Sequence, residues 1–228
     1  MDNIELYHGE LPVNFEMKCP LALVLDTSGS MEGESIKQLN DGLQVFQQQI
    51  TNDLTAASRL ETMLISFNSE IEIIQDFALL SGFQMPTLKT RGTTKMADAI
   101  HLAITRITAR KQYYKNSGLT YYRPYIILIT DGVPDGDQDM GGIEKKIING
   151  VENHEFRFWA FGVTGADMNL LKKISHPEFP PQYLKGSDFT TFFKWLSKSM
   201  TAITHSKPDE KIDISPKSEE ENPFLLTM

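Results

Sequence analysis

The sequence predicts a doubly wound α/β domain, with a mainly parallel central sheet, one antiparallel edge strand and helices on both faces. Two patterns carry this expectation. Runs that are apolar at every position alternate with segments whose apolar residues recur at helical spacing, as parallel strands joined by right-handed helical crossovers require. One pair of strands is joined too closely for a crossover and therefore pairs antiparallel. A chain of 228 residues with 40% hydrophobic and 10% aromatic content is long enough to bury such a core and too apolar to be disordered.

Leu21-Ala-Leu-Val-Leu25 is apolar throughout, which suits a strand buried on both faces. Ile36, Leu39, Leu43, Phe46, Ile50 and Leu54 follow at intervals of three and four and form one stripe of an amphipathic helix. Thr62–Phe67 and Glu70–Phe77 make the antiparallel pair, with Asn68-Ser69 as a tight connection. A loop rich in Gly, Thr and Lys, Leu88–Thr94, leads into a second helix carrying Met96, Ile100, Ala103 and Ile107. Tyr125-Ile-Ile-Leu-Ile129 is the second wholly apolar strand. Ile143, Ile147 and Val151 mark a third helix, Phe156–Val163 a further strand and Asp167–Ile174 a short helix. Phe189, Phe192, Leu196, Met200 and Ile203 form the closing helix. The chain thus divides into an N-terminal extension (1–20), one domain (21–205) and a tail (206–228). The tail holds six acids, Asp209, Glu210, Asp213, Glu219, Glu220 and Glu221, with little periodicity, and is expected to be flexible, with docking of its apolar end, Pro223-Phe-Leu-Leu-Thr-Met228, as the less favoured reading.

With 22 basic and 30 acidic residues the net charge is −8, which argues against nucleic acid or an anionic membrane as partner. The single cysteine, Cys19, excludes an internal disulfide and a cysteine zinc cluster, and favours a reducing compartment. No apolar run approaches the roughly 18–20 residues of a membrane span, and the start Met1-Asp-Asn-Ile-Glu5 lacks the basic region of a signal peptide. A cytoplasmic location is expected.

The chemistry concentrates at Asp26-Thr-Ser28-Gly-Ser30, where an ionisable residue ends a buried strand and two hydroxyls follow at alternate positions. In a doubly wound sheet the carboxyl ends of the strands form the ligand crevice, chiefly where strand order reverses. Asp131, in Thr130-Asp131-Gly132, ends the other apolar strand in the same way. If the two strands are neighbours, both carboxylates face one crevice and repel each other unless a cation lies between them. Ser28, Ser30 and Thr94 are uncharged hard oxygen donors. Such a set suits Mg²⁺, which keeps several waters, while Mn²⁺ and Ca²⁺ are alternatives because oxygen donors serve all three.

Asp26-Thr-Ser28-Gly-Ser30, the Gly92-Thr93-Thr94 loop and Thr130-Asp131-Gly132, in that order and on those elements, resemble the metal-ion-dependent adhesion site of von Willebrand factor A (VWA) domains, over roughly Leu21 to Ile203. The resemblance implies a VWA/Rossmann-like fold and a divalent ion held by Asp26, Ser28, Ser30, Thr94 and Asp131. The family usually carries Gly-Gly-Thr in the loop. Thr94 is preferred to Thr93 because Ala97-Asp98-Ala99-Ile100 then aligns with the family's Gly-Glu-Ala-Leu stretch. Size, acidity and the sequence start are similar to the intracellular bacterial tellurium-resistance TerY-like branch. That likeness implies a non-enzymatic scaffold in stress protection. Its partner would be a protein donating a Glu or Asp to the metal, such as a kinase or phosphatase of the same system.

Competing readings are weaker. Metal-assisted phosphoryl transfer through Asp26 needs a general acid two residues on, where Ser28 stands. Asp135-Gly-Asp137-Gln-Asp139 begins like a calcium loop, but Met140 and Lys146 occupy the positions for its Gly and Glu. His8, His101, His154, His176 and His205 show no zinc spacing. Lys89, Arg91 and Lys95 read as scattered surface charge that would steer an acidic partner if it acts at all. Tyr113, Tyr114, Tyr121 and Tyr122 either offer a contact surface or cover the sheet edge.

Overall fold

The computed structural model of the protein describes residues 6–186, 188–208 and 210–225. The first five residues, Asp209 and the last three residues, which entered the readings of the sequence start and of the tail, lie outside the described residues.

A six-stranded sheet forms the centre, in the order β3-β2-β1-β4-β5-β6: β1 (Cys19–Asp26), β2 (Leu60–Phe67), β3 (Ile71–Leu79), β4 (Tyr125–Thr130), β5 (Arg157–Gly162) and β6 (Gln182–Tyr183). All neighbours are parallel except β2 and β3. β1 pairs with β2 on one side and β4 on the other, with Leu25 opposite Ile129. The chain therefore reverses its direction of winding between β1 and β4, the place where such sheets open a crevice.

The helices are α1 (Glu34–Thr51), α2 (Leu54–Arg59), α3 (Met96–Asn116), α4 (Met140–Glu152), α5 (Met168–Ile174) and α6 (Phe189–His205). Every β1 residue is buried, and its side chains alternate between two cores as the pleat demands. Leu21, Leu23 and Leu25 pack with α1 and α6, while Ala22 and Val24 pack with α3, α4 and α5. The alternation of apolar strands and helical stripes thus corresponds to a sheet covered on both faces.

Two elements depart from the sequence reading. The stripe expected to run to Leu54 ends at Thr51, because the Asp53 carboxylate accepts from the Ala56 amide and caps a separate helix, leaving Leu54 87% exposed. β6 is only two residues long, with no period for a sequence to display.

The N-terminal extension docks through polar groups. Tyr7 donates to Asp76, Glu10 grips Arg110 through both carboxylate oxygens (2.7 and 2.8 Å), and Asn14 holds Lys18 and the Ser58 carbonyl. Leu11, Val13 and Phe15 remain more than 80% exposed. Beyond α6, the chain touches the domain at Ile214, whose carbonyl accepts from Trp195 Nε1 (2.7 Å), and at Phe224, which bridges to Leu184 beside β6.

Candidate functional site

The ends of β1 and β4 carry the expected residues to one place. Asp26 is the last residue of β1 and is fully buried. Its Oδ1 accepts from the Ser28 amide (2.8 Å) and its Oδ2 from the Thr130 hydroxyl (2.5 Å). After Asp26 the chain makes a 3-10 turn, Gly29–Met31, which brings the hydroxyls of Ser28 and Ser30 to 3.0 Å from each other. Ser30 in turn donates to Asp131 Oδ1 (2.8 Å), from the end of β4. Asp26, Ser28, Ser30 and Asp131 therefore form one connected cluster.

Thr94 completes it, and Thr93 does not. A Cβ on Gly132 would lie 3.1 Å from both Asp26 Oδ2 and Thr94 Oγ1, so these two oxygens flank the same small space beside the Gly132 backbone. Thr94 is buried, whereas Thr93 is exposed and donates to Asp135 Oδ2 (2.7 Å). The loop that carries Thr94 is sewn to the first motif by backbone bonds, Gly29 amide to Gly92 carbonyl (3.1 Å) and Arg91 amide to Thr27 carbonyl (2.9 Å). Gly92 is required there: it has φ +62°, and a Cβ would stand 2.0 Å from Ser69 Oγ.

Several supporting residues escaped the sequence reading. Thr130 orients Asp26, and Asn68 donates to the Thr27 hydroxyl (3.0 Å). The Thr94 carbonyl accepts from the Asp135 amide (3.2 Å) and from Gln138 Nε2 (2.6 Å). The Asp135 segment that began like a calcium loop thus serves as a brace for the Thr94 loop, and Asp139 caps α4 through the Gly142 amide. Thr130 lay within a quoted motif. Asp135, Gln138 and Asp139 lay within the segment that begins like a calcium loop, and Asn68 carried no signal for its role, since it acts on Thr27, 41 positions away.

Both carboxyls are held away from their ordinary acidity. Burial raises Asp26, against the hydrogen bonds from Ser28 and Thr130. Burial pushes Asp131 up to about 6, opposed by the Ser30 hydrogen bond and reinforced by the charge of Asp26. Neither forms an ion pair with a described residue. Among the described residues no group of three or more His, Cys, Asp or Glu side chains gathers as a metal cluster. What gathers here is two carboxylates and three hydroxyls. An all-oxygen set with two charges and no cation among its partners fits a hard divalent ion.

The weaker candidates separate from this cluster. Arg91 pairs with Glu70, and Lys89 and Lys95 are exposed. His101 lies on exposed helix surface beside Lys146. Tyr113, Tyr114 and Tyr122 are buried, so these rings cover the structure more than they present a surface.

Residues 21–198 match the sequence profile of the von Willebrand factor type A domain, and no curated protein sequence matches significantly. Similar solved structures include the pilus adhesin SpaC from Lactobacillus rhamnosus GG (TM-score 0.66, 14% identity, 84% of this chain and 31% of that one). The vWF domain of the type V pili tip protein Mfa5 from Porphyromonas gingivalis matches with TM-score 0.62 and 12% identity, over 87% of this chain and 99% of that one. The ArnB paralog VWA2 from Sulfolobus acidocaldarius gives 0.55 and 15%, over 81% and 46%. The chain spans about a third of the SpaC chain and 63% of the PilB minor pilin from Streptococcus sanguinis. These likenesses, at 12–15% identity, establish the fold. The profile match covers most of the chain, and the protein belongs to the von Willebrand factor type A domain family.

Proposed function

We propose that this domain recognises a protein partner through a divalent ion. Asp26, Ser28, Ser30, Thr94 and Asp131 would hold Mg²⁺, with Mn²⁺ or Ca²⁺ as alternatives, and a Glu or Asp of the partner would become a further ligand. VWA domains are commonly metal-dependent adhesion or protein-interaction modules. The observation that carries the reading for this chain is the meeting of two buried carboxylates and three hydroxyls, with no cation paired to them among the described residues, at the reversal of strand order.

When bound, the ion supplies the positive charge that draws and holds an outside carboxylate. The chain's own residues do the rest. Thr130 and the Ser28 amide hold Asp26 in one orientation, and Ser30 ties Asp131 to the first motif. Two carboxylates balance a divalent charge without excess, so no third acid of the cluster competes with the partner's. Catalysis at Asp26 is disfavoured in this reading: both its oxygens already accept hydrogen bonds, and Ser28 stands where a general acid would be needed.

The finer assignment is also a proposal: a cytoplasmic scaffold of the bacterial tellurium-resistance type, working beside a kinase or phosphatase. Acidity and the single cysteine support it. No helix among the described residues is long and apolar enough to cross a membrane. The test is affinity purification from native lysate in Mg²⁺, in EDTA, and with an Asp26→Ala bait. A protein retained only with Mg²⁺ and intact Asp26 is the expected result. Identical recovery in all three conditions would show that the site does not bridge to a partner.

A further inference from the structure

The chain beyond α6 ends in an interaction that the metal site does not explain. β6 is the edge of the sheet, and its outer side is paired by the C-terminal segment. The Lys185 amide donates to the Pro223 carbonyl and the Leu225 amide to the Tyr183 carbonyl, both at 2.8 Å, around an antiparallel bridge between Leu184 and Phe224. Phe224 stacks on Phe161 with centroids 5.7 Å apart and meets Trp195 in a T-shaped contact at 4.9 Å. Lys198 of α6 pairs with Glu221 at 2.7 Å, and Lys185 with Glu219 at 3.5 Å. Between Ile214 and the ion-paired Glu219 and Glu221 the segment arches away from α6. A cavity of about 690 Å³ separates it from α6, lined by Lys194, Trp195 and Ser199 on one side and by Ser215, Lys217 and Glu220 on the other.

This is the chemistry of strand addition: main-chain bonds to a sheet edge give affinity, and a side-chain pocket gives selectivity. A segment needed only to cover the edge would serve with any short extended run. Here an aromatic side chain occupies a seat built from Phe161 and Trp195, and acids meet two lysines.

We propose that the groove between β6 and α6 is a peptide-docking site, held in cis by residues 219–225. Its partner is an extended segment of another protein, bearing an aromatic residue with acidic residues a few places before it. The cis segment displays the recognition chemistry, and the complementarity of Lys185 and Lys198 with Glu219 and Glu221 selects the acids. Tethering gives the cis segment an effective concentration of roughly millimolar order, so a partner must compete with it.

The test uses the full chain and a fluorescent synthetic peptide of residues 217–228. The Phe224→Ala chain, its fold verified by circular dichroism, is expected to bind the peptide at least about tenfold more tightly than the wild-type chain, where the seat is filled. A peptide carrying Phe224→Ala is expected not to bind. As a check independent of Phe224, Lys198→Glu on the exposed face of α6 should weaken binding roughly threefold, and a Glu221→Lys peptide should recover it. No binding by the folded Phe224→Ala chain overturns the proposal. A concentration-dependent wild-type dimer that Phe224→Ala abolishes also overturns it, by assigning the groove to a second copy. Neither outcome depends on Mg²⁺, so this site stands or falls apart from the metal reading.

Discussion

Asp131 is the residue whose ionisation most directly reports on the site. An unfolded carboxyl titrates near 4, and burial beside Asp26 raises Asp131 to about 6. The folded state therefore binds this proton more tightly than the unfolded state. In metal-free protein, stability from this group falls as pH rises from about 4 through 6 and is absent above. Asp131→Asn removes that charge and its repulsion with Asp26. The variant is expected to melt no lower than wild type at pH 7.5 in EDTA and to show a flatter pH profile between 5 and 7.5. On the proposed metal reading, Mg²⁺ is expected to raise the Tm of the wild-type chain and not that of the variant. Calorimetry at both pH values checks this, and a markedly lower melting point in EDTA would contradict it. Gly132→Ala probes the space itself. A methyl 3.1 Å from Asp26 Oδ2 and Thr94 Oγ1 crowds two of the proposed ligands, and about a tenfold loss of Mg²⁺ affinity with the fold retained is expected by titration calorimetry.

Among the elements, the contact between α1 and α6 sets one face of the core. Gly42 of α1 permits it: a Cβ there would lie 2.5 Å from Phe193 Cδ2 and 3.0 Å from the Phe189 carbonyl. Both helices present apolar stripes, Leu39, Leu43, Phe46 and Ile50 against Phe189, Phe192, Phe193 and Leu196. Gly42→Ala is expected to force the helices apart and cost about 1–3 kcal/mol, measured by urea unfolding. A neutral or stabilising result would mean that Phe193 has room to turn away. The stripes were readable because helical spacing is a local property. The close approach at Gly42 was not, since it depends on which helix lies opposite.

The molecule as a whole is joined at the amino ends of its strands by a buried ionic cluster. Arg110 of α3 meets Glu61 of β2 (2.8 Å) and Glu10 of the N-terminal extension, beneath the rings of Tyr7, Tyr113 and Tyr114. Tyr114 donates to the same Glu61 carboxylate (2.5 Å), and Lys18 lies 3.9 Å from its other oxygen. Removing one member of a buried pair strands its partner, so Arg110→Met is expected to cost about 3–5 kcal/mol. The double variant Arg110→Met, Glu61→Leu should recover a large part of that loss in equilibrium unfolding. If the double variant is no more stable than the single one, the cost lies in lost packing over the tyrosines. The N-terminal extension thus reaches the domain through Glu10, although its Leu11, Val13 and Phe15 stay in water.

By itself the sequence determined the class of fold and named the residues of the candidate site. Strand burial, helical period and the residues that end apolar strands are properties of short windows, and Asp26, Ser28, Ser30 and Asp131 stand in such windows. Tertiary structure alone decided that β1 and β4 are neighbours, that Thr94 turns towards Asp26 while Thr93 turns to Asp135, and that Phe224 returns to the sheet edge. It also gathered Glu10, Glu61 and Arg110 from three separate stretches of chain. Each of these rests on a contact between residues 40 or more positions apart, and the energy of a contact at that range depends on what the rest of the fold brings beside it.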